Sequence, residues 1–453
     1  VLITCDTLRA DRLGVYGYER PTSPRLDRLA GEGVVFDAAY ASAPWTRPAL
    51  SSLMTGRYPE EVGAAPGNLR RMPAAVETLA ERLRAHGLAT AAVVSNGLIR
   101  RPPPGAGDVD LAQGFETYDD TMTAREANRE MPERGALETT EAALAWLERH
   151  EAAGGGPFFL WVHYQDPHGP YTPPPTVAGR FDRSPPEDEP PLTVGRTMRG
   201  GGQIPFYQLL PGPSGIERRP GVYRDRYDAE IAFFDAQLGR LLDGLAQRPW
   251  WPDALVVFSA DHGESLGERD YWFCHGEHVG AEAVRVPLVV RYPRGVEGPP
   301  AREVAGVRRV EALVGHVDLW PTVLETLGLP SRGSRGVALL GPAPPPARVL
   351  SQSFLPHESE RGEWGVTDGR WRLVWGPEGP ARLYDHAADP LELTDVAAAH
   401  ADVVAALRAR HEGALRAGAG VVHTGSAVEL DPATLEALRE LGYVEVGGEG
   451  DGE

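Results

Sequence analysis

Five short apolar runs constrain this chain more than any other feature: Val1–Cys5 (VLITC), Thr90–Val94 (TAAVV), Phe158–Val162 (FFLWV), Leu255–Ser259 (LVVFS) and Leu288–Arg291. They are near-continuously apolar, so each reads as a strand buried on both faces. Between them lie helical periodicities: Thr78–His86 closed by Gly87, Leu137–His150 closed by the glycines at 154–156, and Tyr227–Leu245. Strands alternating with helices predict an α/β fold with a mainly parallel sheet between helices. In such sheets, sites form beyond the carboxyl ends of the strands. The polar residues just after Cys5, Val162 and Ser259 are therefore predicted to share one rim.

At 453 residues, the chain suits one large domain with a smaller one, or two of similar size. The segment Pro173–Gly221, rich in Pro, Gly and Arg, reads as a surface excursion over the site or a disordered insert. A Pro and Gly cluster at Pro330–Pro346 reads as a linker. Beyond it, Trp364–Trp375 alternates about an Asp-Gly pair and predicts a hairpin, Ala398–Ala417 predicts one helix, and the tail after Gly447 is expected to fray. No internal repeat is visible.

Charge narrows the function classes. With 45 basic and 64 acidic residues, the net charge of -19 repels nucleic acid and anionic lipid, so neither is an expected partner. No apolar run approaches the roughly 20 residues of a membrane-spanning helix, and no membrane span is expected in this segment. Cys5 and Cys274 read as buried thiols. The chain begins on Val1 without methionine, so localisation is not legible from it.

Four polar spots carry the candidate chemistry. Asp6 follows the first buried strand, where a carboxylate either serves a site or caps the next turn. Asp261 and His262, with Gly263 and Glu264, follow another; a hard oxygen beside an imidazole suits Zn, Mn, Mg or Ca to differing degrees. His163 and His168 flank Asp166 among aromatics and prolines, and His275, Glu277 and His278 crowd a further loop. Both loops read equally as aromatic or solvated turns. Thr46, in "APWTRPALSSLMTGR", precedes a helical Leu50–Met54, so its hydroxyl either caps that helix or stands at its positive end as a nucleophile. Attack on a sulfur or phosphorus ester needs a Lewis acid, a nucleophile and donors for the non-bridging oxygens.

Together these pieces resemble the sulfatase family of the alkaline phosphatase superfamily. The resemblance runs through "VLITCDTLRADRLGVYGYERPTSPRLDRLAGEGVVF", "TRPALSSLMTGRYP", "FFLWVHYQDPHGPY", "VVFSADHGESLGE", "HVDLWPTVLETLGLP" and "GRWRLVWGPEGPARLYDHAADPLELTDV", in family order over nearly the whole chain. It implies an alkaline-phosphatase-like catalytic domain over residues 1–330 and a C-terminal subdomain over 331–453 with a small antiparallel sheet and a helix. It implies one divalent metal ion (Ca, Mg, Mn or Zn) held by Asp6, Asp261 and His262, with His168 and His275 holding the ester's oxygens. It also makes a periplasmic or extracellular location an expectation.

Three departures shape the functional reading. The family signature C-x-P-S-R-x-x-L-x-T-G-R carries a cysteine or serine that is oxidised to formylglycine; here Thr46 stands there and Leu50 replaces the arginine. No formylglycine is expected, because threonine cannot be converted to it. Thr7 replaces the second acid of the family's Asp-Asp pair. The remaining set of Asp6, Thr46, Asp261 and His262 is similar to the single-metal sites of threonine-nucleophile relatives such as phosphoethanolamine transferases. The expected activity is hydrolysis or transfer of sulfuric or phosphoric esters, on a small-molecule, glycan-linked or lipid-linked substrate. A threonine ester cannot collapse to an aldehyde as a formylglycine hydrate does, which tilts the expectation toward phosphoesters. The alternative is a catalytically degenerate homologue that binds an anionic or glycan ligand.

Overall fold

The computed structural model describes residues 1–63, 71–102, 110–128, 130–182, 189–196, 200–213, 215–345, 350–354, 362–377 and 379–418. The tail expected to fray lies outside the described residues, as do parts of the Pro173–Gly221 segment. Among the described residues, a nine-stranded sheet organises the chain. Its strands are β1 (Leu2–Cys5), β2 (Val34–Tyr40), β3 (Ala89–Val94), β4 (Thr117–Asp119), β5 (Phe158–Tyr164), β6 (Val256–Ala260), β7 (Leu288–Arg291), β8 (Arg302–Val304) and β9 (Val307–Gly315). They lie in the order β8-β9-β2-β7-β6-β1-β5-β3-β4. The contiguous run β6-β1-β5-β3-β4 is parallel, as is the β9-β2 pair, whereas β7 runs antiparallel to both of its neighbours. All five predicted runs are strands of this sheet. β2 and β9 escaped the sequence reading because exposed or charged residues interrupt their apolar pattern, as in Val34-Val-Phe-Asp37.

The helices are α1 (Pro24–Glu32), α2 (Thr46–Thr55), α3 (Leu79–Ala85), α4 (Ala136–Ala152), α5 (Pro220–Ala246), α6 (Ala281–Val284), α7 (Leu319–Thr326) and α8 (Ala401–Gly418). α3 starts where Thr78 and Glu81 form a reciprocal capping box. α5 begins seven residues ahead of its predicted start, because Pro220 suits a first helical turn and Tyr223 is buried. The core joins β1, β5, β6 and α5 through Ile3, Trp161, Phe258 and Phe234, all essentially inaccessible.

The predicted hairpin is present as Glu363–Thr367 and Trp371–Trp375, within a four-stranded antiparallel sheet that also contains Leu350–Phe354 and Arg382–Asp385. α8 packs on that sheet through Leu407. The segment expected to be a linker is packed rather than free: Leu339 is buried, and Arg335 pairs with Glu61. Among the described residues, no helix is long and apolar enough to cross a membrane.

Candidate functional site

Strand register creates the site. Cys5 is paired with Ala260 on β6 and with Tyr164 on β5, so Asp6 and Asp261 leave neighbouring strands side by side. The Asp6 N–H still donates to the Tyr164 carbonyl at 2.9 Å, and the Asp261 N–H to the Cys5 carbonyl at 3.1 Å. Both carboxylates thus stand on backbone fixed by the sheet. Thr7 then turns the chain with a φ of 54° and donates its N–H to Asp261 Oδ1 at 3.2 Å. The same oxygen accepts the His262 N–H at 2.7 Å.

Thr46 is the first residue of α2, and Trp45, with extended backbone and no side-chain capping bond, is the N-cap. The alternative in which Thr46 caps the helix is therefore corrected: a cap lies one residue outside the helical backbone, and Thr46 is already inside it. Pro48 is accommodated because first-turn N–H groups have no helical partner. The freed Thr46 hydroxyl lies 3.4 Å from His262 Nε2. His262 Nδ1 lies 2.9 Å from the Gly263 carbonyl, which can only accept, so Nδ1 carries the proton and Nε2 presents its lone pair. That lone pair is 3.7 Å from Asp6 Oδ1 and 3.6 Å from Asp261 Oδ2.

Electrostatics set the three groups apart. Burial, reinforced by His275, lowers the His262 pKa to about 3, so the imidazole is neutral. Burial by itself would raise Asp6, but His168, His163 and His262 outweigh it and hold that carboxyl well below the usual range. Asp261 moves the other way, well above the usual range, through burial and the negative charge of Asp6. Among the described residues, Asp6 Oδ1, Asp261 Oδ2 and His163 Nε2 are buried without a hydrogen-bond partner. An unpaired buried polar atom costs roughly 1–3 kcal/mol, more if charged, and a divalent cation would remove that penalty. Asp6, His163 and Asp261 each bring one ligand atom, all within 4.8 Å of one another, so the residues present fit such a cation.

The histidines predicted to face the substrate also converge here. The His275 ring lies 4.5 Å from that of His262, and the His168 ring 5.3 Å from that of His275, measured between centroids. His275 Nδ1 is 3.3 Å from the buried Glu264 Oε1, and Glu264 Oε2 accepts the Tyr171 hydroxyl at 3.1 Å. His168 Nδ1 lies 3.8 Å from Glu126. His278 does not join this group; it turns to Glu282 at 3.5 Å, beside Arg269 and the four-stranded sheet.

Sequence reasoning passed over Asn96, whose amide donates to Asp6 Oδ2 at 2.6 Å. Its signal was present but less direct, because Asn96 lies two residues beyond the end of β3 whereas Asp6 directly follows β1. Glu264 and Glu126 were likewise assigned no role; nothing local in the sequence says that they orient histidines.

An α/β sheet with a buried carboxylate and histidine cluster beyond its central strands is a setting suited to metal-assisted hydrolysis. Residues 1–329 match the family model described as Sulfatase, and the chain belongs to the sulfatase family. It is 26% identical to mouse iduronate 2-sulfatase, over 73% of this chain and 68% of that protein. It is 25% identical to the choline-sulfatase of Rhizobium meliloti (strain 1021), over 83% and 77% respectively. In structure it is similar to the phosphonate monoester hydrolase of Agrobacterium radiobacter, with a TM-score of 0.72 at 22% identity over 95% of this chain and 99% of that one. A protein solved with its substrate D-glucosamine-2-N,6-O-disulfate has the same fold, with a TM-score of 0.72 at 20% identity over 92% and 97%.

Proposed function

We propose that the chain is a metal-dependent hydrolase or transferase of sulfuric or phosphoric esters that uses Thr46 as its nucleophile. The observation that carries this reading is the 3.4 Å approach of Thr46 Oγ1 to His262 Nε2, beside two buried carboxylates with unpartnered oxygens. Asp6, Asp261, His262 and Thr46 would hold the cation. Bound there, it supplies Lewis acidity, which lowers a hydroxyl pKa and offsets charge on the ester oxygens.

The remaining work falls to the chain's own groups. Thr46 gives up its proton to solvent water, and Oγ1 attacks the sulfur or phosphorus in line while the bond to the leaving oxygen breaks and that oxygen takes up a proton from solvent. His168 and His275 hold the non-bridging oxygens, with Glu264 orienting His275. Water or an acceptor alcohol then cleaves the threonine ester and restores the hydroxyl. A threonine ester has no aldehyde to collapse to, so its release depends on this attack. That requirement favours phosphorus esters, and a phosphonate monoester hydrolase among the similar folds supports testing that class beside sulfates. Sulfated saccharides in the names of relatives and neighbours support a glycan-linked or small-molecule substrate. The family match ending at residue 329 supports a catalytic unit over 1–330.

A second reading, an anion-binding homologue without turnover, is favoured by Arg47. Its guanidinium pairs with Asp110 and donates to the Leu98 carbonyl, and so does not stand in for the arginine that Leu50 replaces. Intact mass separates the two readings. After brief incubation with aryl sulfate, aryl phosphate and aryl phosphonate esters, a threonine adduct at Thr46 (about 80 Da for sulfate or phosphate) supports covalent catalysis, and the substrate that gives it names the ester class. No adduct and no released phenol with any divalent cation supports the binding reading.

A further inference from the structure

Thr7 occupies the place of a second acid, and its short hydroxyl is buried without a hydrogen-bond partner among the described residues. The neighbouring strand provides a different group. Register pairs Thr4 of β1 with His163 of β5, one residue before the strand ends, and this brings the imidazole under Asp6. His163 is wholly buried, and its Nε2 lies 3.8 Å from Asp6 Oδ2, too far for a hydrogen bond. Its Nδ1 lies 2.9 Å from Thr4 Oγ1, which also accepts the Trp161 indole N–H at 2.9 Å. The Thr4 hydroxyl accepts the indole N–H and bonds Nδ1 in either tautomer, which holds the ring with Nε2 facing the Asp6 carboxylate.

We propose that His163 is a metal ligand, replacing the acid missing at Thr7 and converting the site into a two-histidine set with a preference for Zn over Ca or Mg. This inference rests on the reading of Asp6, Asp261 and His262 as a cation site. Separations of 3.6 to 3.8 Å join His262 to Asp6, His262 to Asp261, and His163 to Asp6. Ligand atoms at roughly 2.1 Å from a tetrahedral ion are about 3.4 Å apart, close to these three separations, and the ligand atoms of Asp6, His163 and Asp261 all lie within 4.8 Å of one another. Neutral imidazole suits Zn, whereas Ca and Mg prefer oxygen. The Thr4 contact fixes the ring as outer hydrogen bonds fix metal-bound histidines elsewhere.

The test is pulsed EPR on the full chain loaded with Mn alone, which counts coupled imidazole nitrogens without requiring activity, together with Zn and Ca affinities by titration. The wild type is expected to show two imidazoles. His163→Gln and His262→Gln should each show one, with Zn affinity reduced at least tenfold and Ca affinity much less affected, while His168→Gln should still show two. Should the buried His163 variant fail to fold, two imidazoles retained in both His168→Gln and His275→Gln assign the second nitrogen to His163. A single imidazole in the wild type, no Mn binding, or unchanged Zn affinity in a folded His163→Gln protein overturns the proposal. Two imidazoles that persist in Thr46→Ala, with no adduct in the wild type, would overturn the nucleophile assignment and leave this one standing.

Discussion

Thr46 Oγ1 and His262 Nε2, 216 residues apart in sequence, lie 3.4 Å apart in the fold. One stands on the first residue of α2 and the other two residues beyond the end of β6, so helix and sheet together set the distance. Because the Thr46 side chain does not cap α2, removing it should cost little stability. Thr46→Ala is therefore expected to melt within a few degrees of the wild type while losing roughly three orders of magnitude or more in kcat/KM and all adduct. Thr46→Ser should keep measurable turnover. Steady-state kinetics and a thermal melt check both.

Gly276 should link the nucleophile's helix to His275. Its φ is 81°, and a Cβ there would meet the indole of Trp45, the residue before Thr46. Gly276→Ala must displace that ring and strain its own backbone. Overpacking and left-handed strain together predict a loss of about 1–3 kcal/mol, with kcat falling further than stability explains because both Thr46 and His275 shift. A denaturant titration beside kcat reads the two effects separately.

The four-stranded sheet should anchor the loop that carries the histidines. Arg372 and Glu392 are both buried and paired at 2.7 Å; Arg372 also donates to the Val279 carbonyl, and Glu392 accepts the Ala281 N–H at 3.1 Å. Removing one partner leaves a buried charge, so Arg372→Met is expected to cost roughly 3–5 kcal/mol. Replacing both with apolar residues should recover much of that loss. Chemical denaturation of the single and double variants tests it.

His316 should add an acid-side loss of stability. It is buried with its Nε2 2.9 Å from the Ala260 carbonyl, just before Asp261, and burial lowers its pKa from 6.5 to about 4. Between those values the unfolded chain binds the proton that the folded chain refuses, so stability rises with pH. The contribution is complete above about pH 6.5 and lost as pH falls to about 4, amounting to roughly 3 kcal/mol. His316→Gln should flatten the unfolding free energy over that window by this amount relative to the wild type; parallel curves would refute the assignment.

Legibility in the sequence followed the range of the interactions. The five buried strands, the hairpin and the helix α3 were readable because burial on both faces, turn residues and helical periodicity are written in contiguous residues. Asp6, Asp261 and His262 were readable because a polar residue directly after a buried strand faces one rim whatever the rest of the chain does. The structure decided what depends on register and on packing between distant elements. Thr4 opposite His163 turned an apparent loop histidine into a neighbour of Asp6, and Asn96 reached Asp6 because β3 lies beside β5. His275 and His278, three residues apart, were indistinguishable in sequence; the fold sent one to Glu264 and the other to Glu282. Local sequence fixes which residues leave a strand, but which atoms then meet is set by side-chain contacts that form only when the sheet and its helices close on one another.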